Sequence, residues 1–282
     1  MRPIMLVDRL FTRYQRQIAL TEFGESGQAN LLQAHVLIIG CGGLGNAAAL
    51  YLAAAGVGHL VLVDDDVVEE SNLQRQIAFR QQHLASPKVD ALAEQLKQLN
   101  AELRVRTISQ RLDEERLNLE VMLADIVLDC TDNFPSRQLI NQACLNQRTP
   151  LVSASAIGWK GQFIAFDFSS YHSIQSQQDT SSAASSVNPP CYHCLFPFAE
   201  NAMQTKCSDA GVIGPVVGLM GNYQAIATIQ KLATGAFQTT CHQLHLFDGL
   251  KLSWQHLAVV KDPSCRVCQI QKQESSNEHH SN

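Results

Sequence analysis

Apolar positions along this chain come in short unbroken runs that alternate with helix-patterned stretches. Val36-Leu37-Ile38-Ile39 and Leu60-Val61-Leu62-Val63 are two such runs, and each reads as a strand. Between them, Leu44 to Ala55 is Ala- and Leu-rich and ends at Gly56, a natural helix stop. Ser86-Pro87 opens a further helix, with Ser86 as cap and Pro87 at the first position. Val89, Leu92, Leu96 and Leu99 form its apolar stripe. Asp113-Glu114-Glu115 heads a short helix that reaches Met122. Asp125 to Cys130 reads as a buried strand, Phe134 to Gln147 as a helix and Leu151 to Ala154 as a strand. Strand and helix thus alternate through residue 155. That order predicts an α/β fold with a doubly wound, Rossmann-like, mainly parallel sheet.

The pattern then changes. Gln162 to Phe168 alternates as a strand does, whereas residues 169–188 are rich in Ser and Gln and predict a flexible crossover loop. Val216 to Leu232 reads as a helix despite Gly218 and Gly221. Gln243 to Phe247 and Leu252 to Val260 read as a strand pair turning at Asp248-Gly249, an antiparallel C-terminal extension. The polar stretch 269–282 predicts a disordered tail. The predicted organisation is a single domain over 1–268, with a first half over about 1–155 and a second over about 156–268.

Composition narrows the classes. A chain of 282 residues can bury roughly three quarters of its unfolded surface. Its 45% hydrophobic and 17% charged content is that of an ordinary soluble globular protein. The net charge of −5, with no Lys/Arg-rich run, argues against nucleic acid as partner. Val36 to Val63 is long and uncharged, but its glycines cut it into apolar runs too short to span a bilayer. Arg2, Asp8, Arg9 and Arg13 occupy the start with no apolar signal core, so a cytoplasmic protein is expected. Nine cysteines, an odd number, make a poor disulfide scaffold. In a reducing compartment paired cysteines more often bind metal or do chemistry.

The candidate chemistry gathers where strands end. The turn Gly40-Cys41-Gly42-Gly43-Leu44-Gly45 follows one strand and opens a helix, and Asp64 ends the next strand about twenty positions on. That is the kit for an adenine nucleotide: backbone N–H groups for phosphate and a carboxylate for ribose hydroxyls. Asp129-Cys130-Thr131-Asp132-Asn133 follows a third strand on the same sheet edge, so three polar segments converge on one crevice. Asp132 offers a hard oxygen suited to Mg²⁺ near phosphate, or else a cap for the helix at Phe134. Lys88 lies in the first turn of its helix, where the dipole disfavours a cation unless phosphate is bound. Gln74 and Arg75 follow the second strand closely enough to reach the crevice. Arg13-Tyr14-Gln15-Arg16-Gln17 lies outside the wound sheet, so an Arg from it must be delivered by packing or by another subunit. The Gly turn and Asp64 alone also suit an NAD-dependent dehydrogenase, which leaves Arg16, Arg75 and Lys88 unexplained.

Taken in order, Arg13-Tyr14 with Arg16-Gln17, the Gly40–Gly45 turn, Asp64, Ser71-Asn72-Leu73-Gln74-Arg75-Gln76, Pro87-Lys88 and Asp129 to Asn133 resemble the ThiF/MoeB/HesA family, relatives of the ubiquitin-activating enzymes. The resemblance runs over about residues 10–268. It implies that Arg16, Gly43, Asp64, Asn72, Arg75, Lys88 and Asp132 bind ATP and Mg²⁺. Arg16 would enter the partner subunit's site in a homodimer. It also implies adenylylation of the C-terminal Gly-Gly carboxylate of a ubiquitin-like sulfur carrier. The stretch from Gly211 to Gly221 and Leu246-Phe247-Asp248-Gly249 resemble the ThiF branch, which serves a ThiS-like carrier, more than the MoeB branch. The sulfur donor would then be a sulfurtransferase or a cysteine desulfurase.

Two cysteine pairs stand apart, Cys191-x-x-Cys194 and Cys265-x-x-Cys268. Four thiolates suit a closed tetrahedral Zn²⁺ site, a redox dithiol being the alternative, and the family commonly carries this zinc. Cys207 sits outside both pairs in a segment ending at Gly211. By resemblance it occupies the cysteine position linked to acyl transfer or sulfur relay. Cys241-His242 with His245 is better explained by strand alternation than by metal.

Overall fold

The computed structural model describes residues 7–169, 171, 189–197, 211–238 and 241–268. Cys207, most of the predicted 169–188 loop and the predicted 269–282 tail therefore lie outside the described residues. The strands are β1 (His35–Ile39), β2 (His59–Val63), β3 (Arg104–Ile108), β4 (Ile126–Asp129), β5 (Leu151–Ile157), β6 (Lys160–Phe166), β7 (Gln243–Asp248) and β8 (Ser253–Ala258). The helices are α1 (Asp8–Ile18), α2 (Gly24–Gln33), α3 (Gly43–Ala55), α4 (Lys88–Leu99), α5 (Glu114–Met122), α6 (Phe134–Gln147), α7 (Tyr192–Leu195) and α8 (Gly214–Thr234).

All eight strands share one sheet in the order β3-β2-β1-β4-β5-β6-β7-β8. The pairings from β3 to β5 are parallel. Those from β5 to β8 are antiparallel. The winding reverses between β1 and β4, and a crevice at such a switch point is where α/β sheets take ligands. One core packs α3, α4 and α8 on one face of the sheet. A second packs α5, α6 and α7 on the other, with Cys191, Cys265 and Cys268 among its buried residues.

The elements β3, α2 and α7 are absent from the sequence reading, and the start of α4 departs from it. The strand β3 was not predicted, because Arg104-Val105-Arg106-Thr107-Ile108 is half polar, as suits the sheet's edge. Pro87 rather than Ser86 occupies the cap position of α4, and Lys88 is its first residue. The Lys88 N–H is satisfied by the Asp66 carbonyl at 2.9 Å, so no side-chain cap is needed there.

The turn between β1 and α3 is held to glycine by contact. Gly40 has φ +94°, and a Cβ on Gly45 would lie 1.9 Å from the Gly40 carbonyl oxygen. Gly45→Ala is expected to lose about 3 kcal/mol by overpacking. A urea denaturation midpoint equal to that of the unaltered chain would rule out this account of the turn.

Candidate active site

The crevice is assembled from backbone outward. Gly42 precedes α3 as its cap residue and α3 begins at Gly43, so the helix's unpaired N–H groups face the carboxyl edge of the sheet. Asp64 follows β2 at the same edge. One of its oxygens accepts the Cys41 N–H at 2.6 Å and the other the Asp66 N–H at 2.8 Å. Burial pushes the Asp64 carboxyl above its usual range, and those two N–H groups pull back against the shift. A half-buried carboxylate at a strand end, with its oxygens turned toward N–H donors, is suited to hydroxyl donors. Beside it the Cys41 thiol is fully buried, and its pKa rises for want of solvent and then because Asp64 is near.

Asp64→Asn is expected to weaken ATP binding about tenfold, since an amide replaces a charged acceptor. The loss should vanish against 2′,3′-dideoxy-ATP in calorimetric titration. An equal loss with both nucleotides would refute ribose recognition.

The segment after β2 folds over the start of α3. Asn46 at the base of α3 accepts the Ala78 N–H at 2.6 Å. A Cβ on Gly43 would sit 3.4 Å from the Arg75 carbonyl and 2.3 Å from Val217, which is why α3 begins under both Arg75 and α8. Asn72 is buried and its carboxamide oxygen accepts the Glu69 N–H at 3.1 Å. The Arg75 guanidinium donates to the Ser71 carbonyl at 2.9 Å. The Lys88 ammonium, 8% exposed, reaches the Asp66 carboxylate at 2.7 Å. On the third strand end, Asn133 caps α6 by accepting the Ser136 N–H at 3.0 Å. The capping alternative for Asp132 is therefore taken by its neighbour, and the Asp132 carboxylate is exposed.

Arg16 is placed elsewhere. On α1, Tyr14 is buried and its hydroxyl oxygen accepts from Asn100 at 3.1 Å. Arg13 donates to the Leu99 carbonyl at 2.6 Å and Gln17 to the Ala55 carbonyl at 2.7 Å. These are the far ends of α4 and α3. The 13 residues of α3, at about 1.5 Å each, carry the chain about 20 Å from the crevice. Within one protomer Arg16 is exposed at the opposite edge of the sheet.

The four paired cysteines meet on the α6 and α7 side. The Cys191 sulfur is 3.9 Å from that of Cys194 and 3.7 Å from that of Cys265, and those of Cys194 and Cys268 are 3.6 Å apart. A tetrahedron with Zn–S of about 2.3 Å has edges of about 3.8 Å, so the thiols fit that ion without rearrangement. Contacts with the Cys191 and Cys268 sulfurs pull the Cys194 thiol below its ordinary range. The Tyr171 hydroxyl, beside this cluster, donates to the Pro189 carbonyl at 2.5 Å. Among the described residues, the ligand atoms of Cys241, His242 and His245 do not come together in one cluster. His245 pairs instead with His256 at 2.8 Å across β7 and β8.

Sequence reasoning held Asp65 and Asp66 as alternatives to Asp64 and did not pair Asp66 with Lys88. It also missed Arg137 of α6, whose guanidinium lies 3.8 Å from Asp129. The signal that singled out Lys88, a cation close to a helix N-terminus, was available for Arg137 as well.

The ThiF family profile matches residues 14–267 of the chain. Among curated relatives, the sulfur carrier protein ThiS adenylyltransferase of Escherichia coli (strain K12) is 45% identical, the alignment covering 93% of this chain and 96% of the relative. The molybdopterin-synthase adenylyltransferase of the same organism is 37% identical, over 93% of this chain and 98% of the relative. Among solved structures, Escherichia coli MccB shares the fold with a TM-score of 0.72 at 21% identity, over 98% of this chain and 75% of that one.

Proposed function

Because the chain belongs to the ThiF family, we propose that it adenylylates the C-terminal Gly-Gly carboxylate of a ubiquitin-like sulfur carrier of the ThiS type. The observation that carries this reading is the 45% identity to a ThiS adenylyltransferase across nearly the whole of both chains. What supports it in the fold is that the Gly turn, Asp64 and Asp132 follow strands on one sheet edge, with the Arg75 carbonyl beside Gly43 and Lys88 paired to Asp66. A hydride-transfer enzyme has no use for that second set of charges.

In this reading the Gly40–Gly45 turn and the α3 N-terminus take the phosphates, and Asp64 takes the ribose. Asn72 sets the loop that carries Arg75. The carrier's terminal carboxyl, with pKa about 3.5, is already ionised, so no general base is needed. A carboxylate oxygen forms a bond to the α-phosphorus, the bond from that phosphorus to the bridging oxygen breaks, and pyrophosphate leaves. The barrier is repulsion between carboxylate and triphosphate, and Arg75 and Lys88 lower it by charge. Asp132 supplies the oxygen donor for Mg²⁺, whose chemistry is to neutralise the departing pyrophosphate. Arg16 of the partner subunit completes the charge set, consistent with its distance from the crevice of its own chain. Cys191, Cys194, Cys265 and Cys268 hold Zn²⁺ in a structural role, and Cys207 serves sulfur transfer after adenylylation. The nucleotide-binding half over about 1–155 and the carrier-binding, zinc-holding half over about 156–268 act as one domain. None of the described helices is long and apolar enough to cross a membrane, and a cytoplasmic site of action belongs to the same reading.

ATP–pyrophosphate exchange tests the whole. Purified ThiS and the molybdopterin carrier are added separately, each with its Gly-Gly tail intact or removed. Exchange that requires the tail of ThiS is the expected result. Exchange only with the other carrier reassigns the substrate. No exchange with either, in folded zinc-loaded protein, overturns the reading.

A further inference from the structure

The carboxyl ends of β4 and β5 carry a buried polar network that phosphate binding does not account for. Backbone pairing between these strands stops at Asp129 and Ser153. Beyond that point side chains do the joining. The Asp129 carboxylate, 1% exposed, accepts the Thr131 N–H at 3.0 Å and the Thr131 hydroxyl at 2.7 Å on one oxygen. Its other oxygen accepts the Ser153 hydroxyl at 2.8 Å. Arg137, 7% exposed, comes in from α6. Its Nη1 donates to Ser153 Oγ at 3.2 Å, and its Nη2 to the Ala154 carbonyl at 2.8 Å and to the Thr131 carbonyl. From the opposite face of the sheet, Gln224 of α8 donates to the carbonyls of Asp129 at 2.9 Å and Val152 at 3.1 Å.

Two features of this network point past stability. First, the N–H, hydroxyl and carbonyl of Thr131 are all engaged, so the residue just before Asp132 has no freedom left. Second, a buried guanidinium and carboxylate gain little net stability over apolar residues of like volume, because both must be stripped of water. What a planar fork with several donors does provide is direction. It ties the Thr131 carbonyl, on the loop that carries Asp132, to Ala154 on β5, which continues into the antiparallel half of the sheet.

We propose that Arg137 is a positioning residue which, with Asp129 and Ser153, sets the Asp132 carboxylate for the divalent cation of the bound nucleotide. This rests on the reading of Asp132 as a metal ligand given above.

The test is calorimetric and needs no turnover. ATP affinity of the full chain is measured in Mg²⁺ and in EDTA, and the ratio is the metal's enhancement. Asp132→Ala serves as reference, with Arg137→Lys and Ser153→Ala as test variants. Arg137→Lys keeps the charge but loses the fork. Ser153→Ala removes the hydroxyl that bridges Asp129 and Arg137, and it carries the test if the first variant fails to fold. Support would be an enhancement on the order of tenfold smaller in the test variants, approaching that of Asp132→Ala. Affinity in EDTA should stay within about twofold of the unaltered chain. Full enhancement in the folded test variants, with loss in Asp132→Ala, overturns the proposal and leaves the metal ligand standing. So does an equal fall in Mg²⁺ and EDTA, which marks a merely structural role. Full enhancement in Asp132→Ala removes the ligand reading and the proposal together.

Discussion

Lys88→Ala is expected to lower carrier-dependent ATP–pyrophosphate exchange by about 10²–10³-fold while the protein stays folded. The size follows from position. The ammonium is 8% exposed, at the first residue of α4, so its charge acts on phosphate with little screening by water. Survival of the fold follows from its partner. Asp66 is 68% exposed on its side chain, so losing the ion pair leaves a hydrated carboxylate and not a buried orphan charge. The apolar stripe of α4, Val89, Leu92 and Leu96, is fully buried and independent of Lys88. Removing a cation from the positive end of a helix dipole even favours the empty protein slightly. The melting temperature should therefore hold or rise as exchange collapses. Lys88→Arg should not restore exchange, because a guanidinium needs more room than this slot gives and prefers a two-point partner. Exchange within about tenfold of the unaltered chain in Lys88→Ala would remove Lys88 from the reacting charge set.

Lys88 and Arg137 both stand close to a helix start, and what the sequence leaves illegible is the set of partners that are not local. The unit β1–α3–β2 could be read because its strands are buried on both faces and its turn needs glycine at positions 40 and 45, with Gly40 at φ +94° and Gly56 at +92° closing the helix. Each constraint is imposed within a few residues. The antiparallel end was legible for the same reason, Asp248-Gly249 marking the turn between β7 and β8. The strand β3 escaped because an edge strand need be apolar on neither face, and α2 escaped because its sequence is mostly polar. Arg137 and Ser153 lie 16 residues apart on a helix and a strand, and Gln224 and Asp129 lie 95 apart. No periodicity joins such residues; only the folded sheet does. The cysteine pairs lie 74 apart and were still legible, since each Cys-x-x-Cys announces itself before its partner is known.

Cys265→Ser is expected to abolish stoichiometric zinc and to cost the face of the sheet that holds the cysteines more than the face that holds the Gly turn. Cys265 is 1% exposed, and its cluster sits in the core that holds Phe166, Phe168, Tyr171 and Tyr192. That core covers the α5–α7 face. The Gly turn, α3, α4 and α8 belong to the other. A metal held by the four thiols would join residues 191–194, at the one-turn helix α7 downstream of β6, to residues 265–268, which lie downstream of β8 and carry no helix or strand. Binding energy of a structural zinc is folding energy, so whatever the ion contributes must appear as stability of the segments it joins. If about 5 kcal/mol is lost, the melting temperature falls by roughly 10–20 °C at 2–4 °C per kcal/mol. Proteolysis should open the chain near the cluster first, and if the Gly turn and α3 on the opposite core take the nucleotide as proposed, ATP affinity is kept within about threefold. Carrier-dependent exchange should drop far more than ATP binding. Zinc content by emission spectrometry, melting temperature and ATP affinity on the same preparation decide the matter. A zinc-free variant with unchanged melting temperature and exchange would mean that the four thiols, though spaced for the ion, do not depend on it.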